Sequence, residues 1–525
     1  MQRFLLGGIC FVMAAASIVG CNSKDAAREF RALEKSGSIA FEDIADDLDQ
    51  PELDREAYDH IVENSFINAL QNPKSTFSID VDTASYSNVR RMLNEGSRPP
   101  AGAVRIEELI NYFRYDYPAP SSEHPFSVTT ELAQCPWQTG HQLVRIGLKG
   151  KEIEQENRPP ANLVFLLDVS GSMNNPNKLP LVKSAMKLLV ENLDEQDRIA
   201  IAVYASASGL VLPSTPANES AKILAAIDQL DAGGSTNGGQ GIQLAYNTAE
   251  KNFIDGGINR VILCTDGDFN VGTTSQSELV KLIKKKASGN VFLSLLGFGT
   301  GNLNDSTMEK LADHGNGNYA YIDSMLEARK TLVQEMGSTL ITIAKDVKIQ
   351  VDFNPARVDS YRLIGYENRL LANEDFEDDS KDAGEIGAGH TVTAIYEIVP
   401  TGTMANTRVD SPSRFVESKI REDANPDSIL FVNLRYKEPE SNQSKLILAP
   451  LDHPLSAPVP EVEGDFKFVS AVAAFGMKLR ESAHSGDADW DWIIETATTS
   501  QGVDADGFRN EFIGLAKRAR MILKN

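Results

Sequence analysis

The sequence predicts a doubly wound α/β domain inserted between β-sandwich segments, with a C-terminal helical region. Three observations predict it. Between Asn162 and Leu340 short apolar runs alternate strictly with helical patterns, the rhythm of a parallel sheet covered by helices on both faces. On either side, at Phe126–Leu132 and from Val347 onward, apolar residues recur with period two, as in strands with one buried face. From Asp465 to Asn525 the spacing becomes helical again.

The chain of 525 residues is too long for one core, so several domains are expected. Its 74 acidic residues against 51 basic ones leave a net charge of −23. No basic block is present to neutralise phosphates, which excludes nucleic acid as a partner.

Residues 1–20 read as a secretory signal. Arg3 supplies a positive n-region, Phe4 to Ala16 are largely apolar, and small residues follow up to Gly20. Ile18-Val19-Gly20-Cys21 resembles the lipobox of bacterial lipoproteins. That resemblance implies cleavage before Cys21 and acylation of its sulfur and new amino terminus. Several acyl chains anchor durably, since each buried methylene contributes about 0.8 kcal/mol. An ordinary secreted protein with a stray cysteine is the competing reading. Asn22 stands where an aspartate would signal retention in the inner membrane, so the resemblance implies a cell-envelope protein at the outer membrane. After removal of Cys10 and acylation of Cys21, Cys135 and Cys264 remain. Both read as small core residues, with a mutual disulfide as the alternative.

Residues 21–74 form an acidic spacer, with Glu42, Asp43, Asp46, Asp47 and Asp49 close together. An N-terminal α+β region is expected over 75–160. It has a strand at Phe77–Val81, helices at Tyr86–Asn94 and Arg105–Phe113 separated by Arg98-Pro99-Pro100, and strands at Phe126–Leu132 and Gln142–Leu148. The α/β domain occupies 161–340, with strands at Leu163–Leu167, Ile199–Ala205, Val261–Thr265, Val291–Phe298 and Tyr319–Ile322. Its helices include Leu181–Leu193, Gly241–Phe253 and an unbroken Met325–Leu340. Gly209–Pro213 should form an antiparallel edge hairpin with the second strand. A β-rich domain over 341–450 follows, then helices over 451–525 at Phe466–Arg480, Asp489–Thr498 and Phe508–Met521.

The chemistry concentrates on three loops. The buried run Leu163–Leu167 ends in Asp168-Val169-Ser170-Gly171-Ser172, one carboxylate and two hydroxyls at alternate positions. Oxygen side chains on one tight loop suit a hard cation such as Mg²⁺. Ala232 to Ile242 opens a helix and offers the Thr236 hydroxyl, and Val261 to Thr265 ends in Asp266-Gly267. This set, in this order and strand context, resembles a von Willebrand factor A domain with its metal-ion-dependent adhesion site. The resemblance implies Ser170, Ser172 and Thr236 as hydroxyl ligands, and Asp168 and Asp266 as ligands directly or through water. The cation would be Mg²⁺ or another divalent ion such as Mn²⁺ or Ca²⁺. Neutral hydroxyls and two carboxylates leave such an ion incompletely satisfied, so an acidic residue of a protein partner can complete its coordination. Segments around FSIDVDTASYSNVRR, TDGDFNVG and KDVKIQVDFNPARVDSYRLIGYENR further resemble the YfbK-like bacterial lipoproteins.

A catalytic metal needs a base or nucleophile near its open position, and within the three loops no His or Cys occurs except Cys264, which lies inside a strand, so no enzyme is expected. A periplasmic scaffold or assembly factor is the alternative function, and a metal-dependent hydrolase a third. Asp80-Val81-Asp82-Thr83 reads as part of the sandwich or a turn rather than a nucleophile loop, and Asp504-Ala505-Asp506-Gly507 as a helix-start turn rather than a calcium loop. Glu374–Asp382 reads as a solvated, mobile acidic loop, and Trp490 and Trp492 as core residues.

Overall fold

The computed structural model describes residues 56–523 except 155–156, 207, 236–237, 268–275, 302, 382, 404–419 and 422–424. The signal segment, Cys21, most of the acidic spacer and Thr236 therefore lie outside the described residues. The described remainder of the spacer does not stand free. Ile67–Asn68 pairs antiparallel with Ser360 and Tyr361, and Glu56 binds Arg91 at 2.6 Å. Apolar Phe66 and Ala69 interrupt the acidic composition, and Ala69 is fully buried, so the folded body begins earlier than residue 75.

The central sheet runs in the order Tyr319–Ile322, Phe292–Phe298, Ile258–Thr265, Ala161–Asp168, Arg198–Tyr204, Ser208–Pro216. All neighbours are parallel except the last pair, the antiparallel edge hairpin. Ala161–Asp168 and Ile258–Thr265 are buried along their whole length, which is why both read as unbroken apolar runs. Helices Leu179–Val190 and Gly238–Lys251 are among those that cover the sheet faces. Met325–Leu340 is not one helix: Met325–Arg329 passes through a π turn at Lys330–Gln334 before Met336–Leu340. The wider turn lets Lys330 reach Glu335 at 2.6 Å and lie 4.3 Å from the centre of the Tyr112 ring.

Two antiparallel sheets flank this domain, and each draws strands from both sides of it. One runs Ile67–Asn68, Val358–Ile364, Thr391–Pro400, Gln142–Gly150, Phe126–Gln134; the other runs Leu370–Leu371, Lys74–Ser78, Thr342–Phe353, Ser428–Lys437, Ser444–Asp452. They share one core, with Phe77, Ile349 and Val351 of one sheet clustered with Ile146, Leu363 and Tyr396 of the other. The α/β domain is thus threaded into a sandwich whose halves would be incomplete alone. Helices Gly464–Leu479, Trp490–Thr499 and Phe508–Leu523 pack on Ala84–Asn94 and Ile106–Asn111 around Trp137, Phe475 and Phe512. Trp490 is buried in that cluster and Trp492 packs against it.

Buried ion pairs fasten the α/β domain to its surroundings. Arg369 reaches Asp313 at 2.7 Å, Glu309 at 2.8 Å, Asp80 at 3.4 Å and Asp82 at 3.6 Å. Arg105 pairs with Asp305 and Glu108, and Asp82 accepts the backbone N–H of Tyr319 at 2.8 Å. Asp80 and Asp82, just past the sandwich strand Lys74–Ser78, are therefore fastening groups. The described part of the acidic loop, Glu374–Lys381, is also pinned. Arg435 holds Glu377 at 2.8 Å and Asp379 at 3.1 Å, Lys348 donates to the carbonyl of Asp375 at 3.0 Å, and Phe376 is buried. The basic residues come from strands distant in sequence, so the loop's own composition could not reveal them. At Asp504, the carboxylate accepts the backbone N–H groups of Arg509 and Asn510, the helix-start role its spacing implies.

Candidate functional site

The strand order reverses beside Ala161–Asp168: the chain first moves to Arg198–Tyr204 on one side and later returns to Ile258–Thr265 on the other. Ligands in open α/β sheets gather at this point, beyond the carboxyl ends of the strands. One of the two strands at the switch ends in Asp168, and Asp266 directly follows the other.

Asp168 is fully buried. Its Oδ1 accepts the backbone N–H of Ser170 at 2.8 Å, and its Oδ2 is buried without a hydrogen bond among the described residues. Burial pushes its pKa up to about 6. The Ser170 hydrogen bonds and the Tyr204 hydroxyl, which lies against the carboxylate, oppose that rise, and the nearby charge of Asp266 adds to it. The Ser170 and Ser172 hydroxyls lie 3.0 Å apart; Ser170 is buried and Ser172 exposed, so the site opens to solvent on the Ser172 side. Backbone hydrogen bonds lace this loop to the next: Gly171 N–H donates to Gly234 O at 3.0 Å, and Gly233 N–H to Val169 O at 2.7 Å. These bonds bring the segment leading to Thr236 against the Asp168 loop, although Thr236 itself is outside the described residues. Asp266 is buried, follows Thr265 directly and precedes Gly267, whose φ of 101° turns the loop sharply.

Sequence reasoning missed Lys178. Its ammonium binds Asp266 Oδ2 at 2.8 Å, and both side chains are almost fully buried. The other oxygen, Asp266 Oδ1, is buried without a partner among the described residues. The only signal in the chain is a lysine between an Asn-Pro-Asn turn and a Leu-Pro-Leu helix start, which does not announce burial.

Two orphaned carboxylate oxygens and a pair of hydroxyls form a donor set of hard oxygens. That chemistry fits a divalent cation of the Mg²⁺ class. Among the described residues, no three His, Cys, Asp or Glu side chains group as a metal cage, so any ion here would depend on hydroxyls as well as on the two carboxylates. Cys264, one residue before Thr265, is buried and unpaired, as is Cys135; burial raises both thiols well above their ordinary range.

Residues 162–335 match the family model described as von Willebrand factor type A domain. Residues 52–145 match one described as von Willebrand factor, and residues 338–522 one described as Uncharacterized protein YfbK, C-terminal. The chain is 45% identical over 470 residues to the Escherichia coli protein described as "Uncharacterized protein YfbK", covering 88% of this chain and 80% of that one. The chain belongs to the YfbK family. YfbK likeness thus extends through both sandwich sheets and the helical end, whereas other relatives match a smaller part. A Synechocystis protein described as "Uncharacterized protein sll0103" is 30% identical over 209 residues, 39% of this chain and 49% of that one. Human inter-alpha-trypsin inhibitor heavy chain H4 is 29% identical over 198 residues, 35% of this chain and 21% of that one. Among solved structures, von Willebrand factor type A from Catenulispora acidiphila is 16% identical and covers 74% of this chain and 89% of that one, with a TM-score of 0.42. The central unit of this YfbK-family chain is accordingly a von Willebrand factor type A domain, a class of domain associated with protein–protein interaction and adhesion.

Proposed function

We propose that this chain is a lipid-anchored cell-envelope protein that binds a divalent cation through Asp168, Ser170, Ser172, Thr236 and Asp266, and through that cation an acidic side chain of a protein partner. The observation that carries the reading is a pair of buried carboxylates at adjacent strand ends, Asp168 and Asp266, with Asp168 Oδ2 and Asp266 Oδ1 lacking a close hydrogen-bond donor among the described residues and the Ser170 and Ser172 hydroxyls converging on the Asp168 loop. Buried acceptors are costly to leave unsatisfied, and a cation that binds both would remove that cost. Binding rather than catalysis is favoured by the side chains that converge here: carboxylates, hydroxyls and an ammonium already committed to Asp266. The sandwich that clasps the domain from both chain directions would act as a stiff support for the site.

Crosslinking in living cells, with and without a chelator, tests the reading. A membrane-fraction protein captured only without chelator supports it, and an unchanged capture pattern sinks the cation's role. Capture of a soluble periplasmic protein instead favours a scaffold for a partner complex. Cys21→Ala should move the protein from the membrane fraction to the soluble one, because the acyl chains are its expected anchor. Retention of that variant in membranes would refute lipid anchoring through Cys21.

A further inference from the structure

Lys178 is not placed casually. Its side chain is 4% exposed and ends on Asp266, which is 1% exposed. Its aliphatic stem lies across Gly299, whose φ is +77°. A Cβ at Gly299 would stand 2.3 to 2.8 Å from Lys178 Cγ, Cδ and Cε, closer than atoms can approach, so only glycine leaves room for the lysine. Lys178 also opens helix Leu179–Val190, with its carbonyl accepting the N–H of Val182 at 2.9 Å. Position, stem and head group are each fixed by a separate element of the domain.

We infer that Lys178 is a built-in counter-cation for the site: it balances the buried Asp266 carboxylate when no divalent ion is present, and its charge opposes the ion's arrival. This rests on the cation-binding reading above. One ammonium and one divalent ion would then share the two oxygens of a single carboxylate. A buried carboxylate stripped of its counter-ion destabilises the fold strongly, so Lys178 makes folding independent of metal. In the poorly screened interior the same positive charge repels a dication far more than it would in water. The site is thereby tuned to moderate affinity, suited to a cation that is bound fully only when a partner carboxylate joins it.

The test compares full-length wild type, Lys178→Met and the double variant Lys178→Met/Asp266→Asn, purified in detergent. Thermal unfolding is measured in EDTA and in millimolar Mg²⁺, and Mn²⁺ binding is titrated by electron paramagnetic resonance. Lys178→Met should lose about 5 °C or more in EDTA and regain most of it with Mg²⁺, whereas wild type should respond little. It should bind Mn²⁺ about tenfold more tightly than wild type or better. The double variant, with both charges gone, should regain the EDTA midpoint without metal. Recovery of folded Lys178→Met only when Mg²⁺ is present would support the inference. An equal loss in EDTA and Mg²⁺, or failure to fold in either while the double variant folds, would overturn it. If wild type binds Mn²⁺ and Lys178→Met binds no tighter, only the role of Lys178 falls. If wild type takes up no Mn²⁺ at millimolar concentration, the cation-binding reading falls and the competition with it.

Discussion

Asp168→Asn should abolish Mg²⁺ binding and, at the same time, make the metal-free protein more stable at neutral pH. Loss of an outer partner of a metal ligand already costs about 10- to 100-fold in affinity, so loss of a charged direct ligand should cost about 100-fold or more. The stability gain has a separate origin. Asp168 is fully buried and its pKa is pushed up to about 6, first by burial and then by the charge of Asp266. The unfolded chain releases this proton near pH 3.9 while the folded state keeps it to about 6. Stability from this group is therefore complete below about pH 4, declines as pH rises to about 6, and is absent above it. A pKa moved from about 4 to about 6 corresponds to roughly 3 kcal/mol as an upper bound. Asparagine carries no charge and keeps an oxygen to accept the Ser170 N–H. Its advantage should therefore appear in EDTA above about pH 6 and vanish near pH 4. Isothermal titration with Mg²⁺ and urea unfolding across pH check the two halves. Undiminished Mg²⁺ binding by the variant would remove Asp168 from the site.

Arg369→Ala should destabilise the folded body by about 3–5 kcal/mol, the usual cost of leaving buried charges without their partner. Four carboxyl groups converge on this guanidinium, from Asp80, Asp82, Glu309 and Asp313, and they come from two parts of the chain far from Arg369 and from each other. The cluster carries more acid than Arg369 can balance. Burial pushes the Asp80 pKa up to about 8, with Arg369 opposing and Asp313 reinforcing. As at Asp168, the folded state holds a proton that the unfolded chain gives up near pH 3.9. Wild-type stability from this group should fall as pH rises from about 4 to about 8, by at most about 1.4 kcal/mol per pH unit. The deficit of Arg369→Ala should shrink toward pH 5, where a neutral Asp80 needs no counter-ion. Asp80→Asn should flatten the slope. Urea unfolding between pH 5 and pH 8 reads all three, and a deficit independent of pH would show that packing, not charge, is what Arg369 supplies.

Much of this was legible in one dimension. The unbroken apolar strands and their terminal Asp168 and Asp266 declared themselves, because parallel strands are buried on both faces and loops at their carboxyl ends carry chemistry. The strand Ser444–Asp452 escaped notice because Pro450 and a weak alternation obscure it. It lies at the sheet edge, where a proline costs no ladder hydrogen bond. The acidic run Glu374–Asp382 looked free because its cations, Lys348 and Arg435, stand on strands from either side of it. The π turn at Lys330–Gln334 had no breaker residue to mark it.

By itself the sequence determined where strands and helices form and which oxygen side chains stand at the strand ends, since hydrophobic periodicity and turn chemistry are local properties. Only the tertiary structure decided that Lys178 sits on Asp266 across Gly299, and that Arg369 gathers four acids. The pairing of sandwich strands from both sides of the central domain was settled there too. Those outcomes depend on which residues far apart in the chain come to share a low-dielectric interior, where each charge must find an opposite, and no local pattern encodes that meeting.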